Sequence, residues 1–226
     1  MTVEALSLWS LGALLGLRHA LEPDHLVAVS TLIAGRAGPR SALHVGAAWG
    51  LGHTLALLAV ASALALARGH MSPALAAGFE LGVGVMLIFL GVQSLRRAHG
   101  GGGDEAAAAG LQAAPADGPR RRARASWPPA RRALLVGIAH GLAGSGALTA
   151  LIAAQFPSLV GRIGYVALFG VGSMIGMAGL SGLAGVPLGR AGRRPALRRA
   201  LGLAGGAMAV ALGLLWVVRE ARGLLG

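Results

Sequence analysis

The sequence contains no cysteine and no lysine, and it has few carboxylates and few aromatic residues. Without cysteine, disulfides and thiolate metal ligands are excluded, so any metal site has to use nitrogen and oxygen donors. Charged residues make up 12% of the chain, and Asp and Glu together number only 8. A soluble domain usually carries about 25% charged residues. This scarcity of charge argues against a soluble protein.

Apolar residues dominate the chain. Hydrophobic residues amount to 55% of the 226 positions and the mean hydropathy is +0.68, with 38 glycines. Glycine is more frequent in transmembrane helices than in soluble ones. The net charge of +12 comes entirely from arginines in short runs between apolar segments. That placement favours membrane topology signals over a nucleic-acid surface, so we expect a polytopic helical membrane protein with no nucleic-acid partner.

Six apolar segments are long enough to cross a bilayer, since a helix needs about 20 apolar residues to do so. The first segment, 4–33, is too long for one plain span, yet its apolar part before the charged residues, 5–17, is too short. We therefore expect one interrupted first helix. The predicted segments are 4–33, 41–67, 74–95, 133–156, 163–188 and 197–218.

The arginines are distributed unevenly between the two sides of such a bundle. With six spans, the loops on one side hold 15 arginines and those on the other side hold four. The 15 are Arg36, Arg40, Arg96, Arg97, Arg120, Arg121, Arg122, Arg124, Arg131, Arg132, Arg190, Arg193, Arg194, Arg198 and Arg199. The four are Arg68, Arg162, Arg219 and Arg222. The positive-inside rule makes the arginine-rich side cytoplasmic and both termini extracytoplasmic, in the cytoplasmic (inner) membrane.

The two halves of the chain resemble each other. "LGLRHALEPDHLVAVSTLIA" (15–34) aligns with "VGIAHGLAGSGALTALIAA" (136–154), and "WGLGHT" (49–54) with "FGVGSM" (169–174), at offsets near 121. Each half has three spans, so the halves must insert in opposite orientations, a design that recurs in transporters. The predicted organisation is a first three-helix repeat (1–97), a flexible cytoplasmic linker (98–132) and a second three-helix repeat (133–226).

The densest group of charges lies inside the first apolar segment. "RHALEPDHL" places five ionisable residues and Pro23 within a few positions, and each charge within a span costs ~2.5–3.5 kcal/mol unless it is paired, hydrated or bound to an ion. Pro23 has no N–H, so the carbonyl of His19 should lose its helical partner and the first half-helix should end there. A helix end carries partial negative charge, which suits a cation. We expect a helix break at Pro23.

Such a break can bring His19, Asp24 and His25 around one point, although His19 and His25 would lie about 240° apart on an unbroken helix. Imidazole and carboxylate donors without sulfur favour divalent Ni, Co, Zn, Mn or Fe over Cu(I). Glu22 either ligates the ion or orients a histidine. Arg18 is expected to act as a counter-charge to Glu22 or Asp24. The competing interpretation is a structural salt-bridge cluster in a kinked helix.

Two further histidines are weaker candidates. His53, in the second predicted span, either completes the site or donates a hydrogen bond to a helix carbonyl. His140 occupies the repeat position of His19, but its neighbours lack the charges of the first half, so its contact with an ion stays open.

These residues resemble a known family. "RHALEPDHL" fits a His-x4-Asp-His pattern and is similar to the signature of the nickel/cobalt transporters, including their NicO and short UreH-like branches; "GLGHTLALL" and "AHGLAGSGAL" look like further family motifs. The resemblance implies Ni²⁺ or Co²⁺ as the transported ion, with His19, Asp24 and His25 as its contacts. The larger importers of the family have about eight spans and a second aspartate in the motif, so this chain lies nearer the short branch.

We therefore predict a permease for divalent transition metals, without a permanent cofactor and not an enzyme. The alternatives are an intramembrane metal-dependent enzyme, an exporter of another small solute, or a membrane accessory protein. Homo-oligomers and metalloenzyme-maturation partners are further candidates for association. The enzyme alternative is disfavoured because His19 and His25 lack the HExxH spacing that puts two ligands on one helix face.

Overall fold

The computed structural model describes residues 3–33, 38–66, 72–99, 129–142, 156, 158–191 and 194–225. These residues form seven α-helices. In chain order the helices are α1 (Val3–His19), α2 (Pro23–Ile33), α3 (Pro39–Leu66), α4 (Pro73–His99), α5 (Pro129–Gly141), α6 (Leu159–Ala191) and α7 (Pro195–Leu225).

Proline sets the start of most of these helices. Five of the seven begin at a proline: Pro23, Pro39, Pro73, Pro129 and Pro195. The first helical position tolerates proline because its N–H would have no intrahelical partner, and the fixed φ of proline already suits the helix. The proline positions therefore mark helix starts in the sequence, including the one that divides the first apolar segment.

Among the described residues, four helices are long and apolar enough to cross a membrane: α3, α4, α6 and α7. The first predicted segment is divided between α1 and α2, neither of which reaches the length of a full span. Of the fourth predicted segment, α5 covers the beginning, and residues 143–155 lie outside the described residues. Most of the predicted linker, residues 100–128, lies outside them as well.

The surface of the bundle is apolar and its interior holds polar groups. Large apolar side chains such as Leu14, Phe89 and Leu183 are exposed, at 63%, 63% and 72%. The buried polar residues include four histidines and one aspartate. An extended apolar exterior suits lipid rather than water. Together with the four spanning helices, this distribution identifies a helical membrane protein.

The predicted interruption of the first segment is present between His19 and Pro23. The N–H of Leu21 donates to the carbonyl of Arg18 (2.9 Å), and the N–H of Glu22 donates to that of His19 (3.0 Å). These three-residue bonds form a tight turn between α1 and α2. The His19 carbonyl has lost its helical partner, as expected, and the N–H of Glu22 in the turn takes the place of the one that Pro23 lacks.

Glycine allows the helices that carry the site to pack closely. A Cβ at Gly16 in α1 would overlap the backbone of Phe169 in α6, and one at Gly137 in α5 would overlap the backbone of Trp49 in α3. Small residues of this kind let helix backbones approach each other in membranes. Because α3 and α6 also pack on each other, α1 and α5 are held on either side of one central helix pair.

Candidate metal centre

Five potential ligand side chains meet in the interior of the bundle. We name His19, Asp24, His25, His53 and His140 the histidine–aspartate cluster. His19 is the last residue of α1, and Asp24 and His25 lie in the first turn of α2. His53 projects from α3, and His140 lies near the end of α5. All five side chains are buried, and those of His25 and His53 are completely inaccessible to solvent.

The interrupted helix explains how His19 and His25 come together. Their ring centroids are 4.3 Å apart, so the convergence predicted from the break at Pro23 is present. The ring of His25 also lies 5.5 Å from that of His53 and 4.4 Å from that of His140. His25 is therefore at the centre of the cluster, with the other three imidazoles around it.

Asp24 joins the two halves of the chain. Its Oδ2 lies 2.9 Å from Nε2 of His140, and its Oδ1 lies 3.3 Å from Nδ1 of His25. Asp24 stands in the first turn of α2, where the positive end of the helix dipole stabilises a carboxylate. His140, whose involvement the sequence left open, is thus in direct contact with the motif of the first helix.

Most imidazole nitrogens in the cluster have no protein hydrogen-bond partner. Among the described residues this holds for Nε2 of His19, Nε2 of His25, both ring nitrogens of His53, and Nδ1 of His140. A buried polar atom normally has a partner, because desolvation without one costs free energy. Neutral imidazole nitrogens of this kind are the donors that divalent nickel, cobalt and zinc accept. The donor set therefore fits a transition-metal cation.

Glu22 supports the cluster from its edge. Its Oε1 lies 2.9 Å from Nδ1 of His19, while its side chain is about half exposed. A carboxylate bonded to one ring nitrogen fixes the orientation of the imidazole and directs the other nitrogen towards an ion. Of the two roles expected for Glu22, the geometry favours orienting a histidine over ligating the ion.

Arg18 does not have the expected role. It was predicted to balance the charge of Glu22 or Asp24, but Glu22 pairs with His19, and Asp24 pairs with His25 and His140. The Arg18 side chain is exposed instead. Histidines of the cluster therefore take the charge-pairing role that was expected of Arg18.

Two aromatic residues next to the cluster were missed from the sequence. The ring of Trp49 lies 5.2 Å from that of His25 and 5.8 Å from that of His140. Phe169 lies 5.3 Å from His19. Trp49 is four residues before His53 and so shares its face of α3, a spacing that could have revealed it. Phe169 aligns with Trp49 in the sequence repeat, and this alignment could have identified Phe169 once Trp49 was known.

The fold and the site together define a helical membrane protein with buried imidazole and carboxylate groups suited to a divalent cation. The chain is 31% identical over 202 residues to the urease accessory protein UreH of Bacillus sp. (strain TB-90), and the match covers 88% of this chain and 85% of that protein. The chain belongs to the nickel/cobalt transporter family, in its UreH-like branch.

No protein-family model and no solved structure matches the chain. The assignment to the family therefore depends on the relative from Bacillus and on the motif in the first helix.

Proposed function

We propose that this protein is a permease for divalent transition-metal ions, with Ni²⁺ or Co²⁺ as its cargo. The cargo binds to the histidine–aspartate cluster, and Glu22 holds His19 in orientation. Import and export both fit this site. Proton release on binding is expected, because metal displaces protons from its ligands.

The observation that carries this proposal is the convergence of four imidazoles and one carboxylate from four helices inside an apolar bundle. Ionisable groups within a span are costly and usually mark an ion or substrate pathway. A structural ion-pair network would satisfy its polar atoms within the protein. Five imidazole nitrogens of this cluster lack such a partner among the described residues, which favours an ion-binding role.

We also propose that the six predicted spans form two inverted three-helix repeats, with both termini outside and the linker in the cytoplasm. The helix contacts support this arrangement, because α1 packs on α6 as α5 packs on α3. Between α4 and α7, Gly84 meets Gly213 and Gly91 meets Gly206. These two glycine pairs are counterparts of each other, because "GVMLIFLG" (84–91) aligns with "GAMAVALG" (206–213) at an offset of 122.

The name of the relative favours a second candidate function. That protein is described as a urease accessory protein. By analogy, this chain would assist the assembly of a metalloenzyme, and metal delivery across the membrane would be one way of doing so. The two functions differ in a measurable way, since a permease moves metal without any protein partner.

The test is metal flux into liposomes that contain the purified protein. Wild-type protein and His19→Ala are compared with Ni²⁺, Co²⁺, Zn²⁺ and Mn²⁺ on the outside, and a fluorescent indicator reports metal inside. We expect flux of Ni²⁺ or Co²⁺ by the wild type. In His19→Ala this flux should fall at least ~10-fold, since changes to groups that only support metal ligands already cost 10–100-fold.

The matched control is His99→Ala. His99 is an exposed histidine at the end of α4, bonded through Nδ1 to the carbonyl of Leu95. This variant should keep wild-type flux. If the wild type moves none of the four metals, the permease proposal fails, and the accessory function becomes the better description.

A further inference from the structure

The five side chains of the histidine–aspartate cluster do not converge on a single point. Among the described residues, the ligand atoms form two sets, and the atoms of each set lie within 4.8 Å of one another. The histidine position consists of His19, His25 and His53, and the aspartate position consists of Asp24, His25 and His140. His25 is the one residue that both sets share.

Each set has the dimensions of one coordination sphere. Bonds from zinc to nitrogen or oxygen are ~2.0–2.2 Å long, so two ligand atoms of one such ion are at most ~4.4 Å apart. A slight contraction would close either set on an ion. The ring of His25 is almost equidistant from those of His19 and His140, at 4.3 and 4.4 Å. An ion in either position therefore has a ring nitrogen of His25 among its ligands.

We propose that the cargo ion occupies the two positions in turn, with His25 as the common ligand. This inference rests on the proposed function, because it describes how the same ion crosses the cluster. Leaving the histidine position, the ion releases His19 and His53 and gains Asp24 and His140. Both positions need His25, and two divalent ions a few ångströms apart repel each other, so we expect one ion to be bound at a time.

The two positions differ in charge. The histidine position offers three imidazoles and no carboxylate, whereas the aspartate position includes a carboxylate that attracts a divalent cation more strongly. The histidine position also adjoins Glu22, which is about half exposed and bonded to His19. These features make the histidine position the weaker one and connect it to the surface of the bundle.

The exchange also connects the two halves of the chain. All three residues of the histidine position come from α1, α2 and α3, which belong to the first half. The aspartate position adds His140 from α5, in the second half. An ion there must replace the hydrogen bond between Asp24 and His140. Transfer between the positions therefore recruits the second half, and this is the step at which one half can move against the other.

The test measures Ni²⁺ binding to the purified full chain. Calorimetry gives the affinity and the number of ions bound, and X-ray absorption at the nickel edge identifies the ligands. The wild type should bind one ion. His53→Ala and Asp24→Asn each disable one position, so each should still bind one ion, with affinity lowered by ~10–100-fold on the scale of changes around metal sites. His25→Ala should abolish binding, since both positions need it.

The absorption spectra separate the two positions. Asp24→Asn keeps the shape of the side chain and its bond to His140, and its nickel should have imidazole ligands without a carboxylate. In His53→Ala, the nickel should be bound by the two imidazoles of His25 and His140 and by the Asp24 carboxylate. Both variants should lose at least ~10-fold in liposome flux, because the ion needs both positions to cross.

Three outcomes would overturn the proposal while leaving the proposed function intact. They are two ions bound to the wild type, the same spectrum for both variants, and wild-type flux from either variant. An absence of flux in the wild type would instead count against the proposed function. Monodispersity and helical content, measured for each variant, identify a protein that has simply failed to fold, and His53→Gln then replaces His53→Ala.

Discussion

At the scale of single side chains, the histidine–aspartate cluster depends on groups that hold the ligands as well as on the ligands themselves. Glu22 is bonded to Nδ1 of His19, and Trp49 packs beside His25 and His140. His19 is the last residue of its helix, so its ring needs an external partner to fix its orientation. The Glu22 carboxylate provides that partner, at a distance of 2.9 Å.

Replacement of Glu22 should weaken metal binding without removing a ligand. We expect Glu22→Ala to lower Ni²⁺ affinity by ~10–100-fold, the usual effect of losing a group that orients a metal-bound histidine. Glu22→Gln should lose less, because its amide oxygen can still accept from Nδ1 of His19. Competition with a fluorescent metal indicator measures both affinities.

Glu80→Gln is the control for Glu22, since Glu80 lies in α4 beside Glu220 and away from the cluster. Its Ni²⁺ affinity should match the wild type. Equal affinities for wild type and Glu22→Ala would show that His19 does not need this carboxylate.

At this scale, the sequence predicted the cluster residues of the first apolar segment better than those of the other helices. His19, Asp24 and His25 are close in sequence, and a proline between them indicates the break that brings them together. His53 and His140 belong to other helices, and their contacts depend on how those helices pack. Periodicity alone does not predict the partner of a helix face, so their place in the cluster needed the structure.

At the scale of helices, Pro23 determines the geometry of the motif. Pro23→Ala restores an N–H that can donate to the carbonyl of His19, and it removes the steric barrier to a continuous helix. A continuous helix would place His25 about 240° from His19. We expect Ni²⁺ affinity to fall at least ~10-fold while the protein remains helical by circular dichroism.

Pro187→Ala is the matched control, because Pro187 lies inside α6. Its removal should leave Ni²⁺ affinity unchanged. If Pro23→Ala binds Ni²⁺ as the wild type does, the break is maintained by packing and not by the proline.

The glycine contact between α1 and α6 is a second determinant at this scale. Gly16→Ala should separate the two helices, because the new methyl group would overlap the backbone of Phe169. Overpacking of this kind costs ~1–3 kcal/mol, and it should displace His19 at the end of α1. Thermal unfolding in detergent should show a lower midpoint for this variant.

Gly179→Ala provides the comparison on α6, since nothing lies within 4 Å of a Cβ at that position. It should be neutral or stabilising, because alanine favours the helix by ~1 kcal/mol over glycine. Equal midpoints for the two variants would contradict the close packing of α1 on α6.

At the scale of the whole molecule, the absence of cysteine makes the proposed topology simple to test. Ser41 and Ser72 are exposed residues near the starts of α3 and α4. With both termini outside, Ser72→Cys should react with an impermeant maleimide on intact cells. Ser41→Cys should react only after permeabilisation. The opposite pattern would reverse the orientation derived from the arginines.

Composition and arginine placement were sufficient to predict a helical membrane protein and the approximate ends of most helices. Pro23 indicated the break between α1 and α2, but the sequence did not predict the hydrogen bonds of the turn that closes it. The sequence also did not predict which helices pack together, since many glycine-rich helix faces are equivalent in sequence. The repeat offered the best guide to them, because counterparts in the two halves make counterpart contacts.

The most direct test of the central claim is X-ray absorption at the nickel edge, on wild-type protein loaded with one equivalent of Ni²⁺. The claim is that the cargo binds among the buried histidines. It predicts nitrogen and oxygen ligands with the multiple scattering typical of imidazole, and loss of that signal in His25→Ala. A spectrum without imidazole, or one that His25→Ala leaves unchanged, would contradict it.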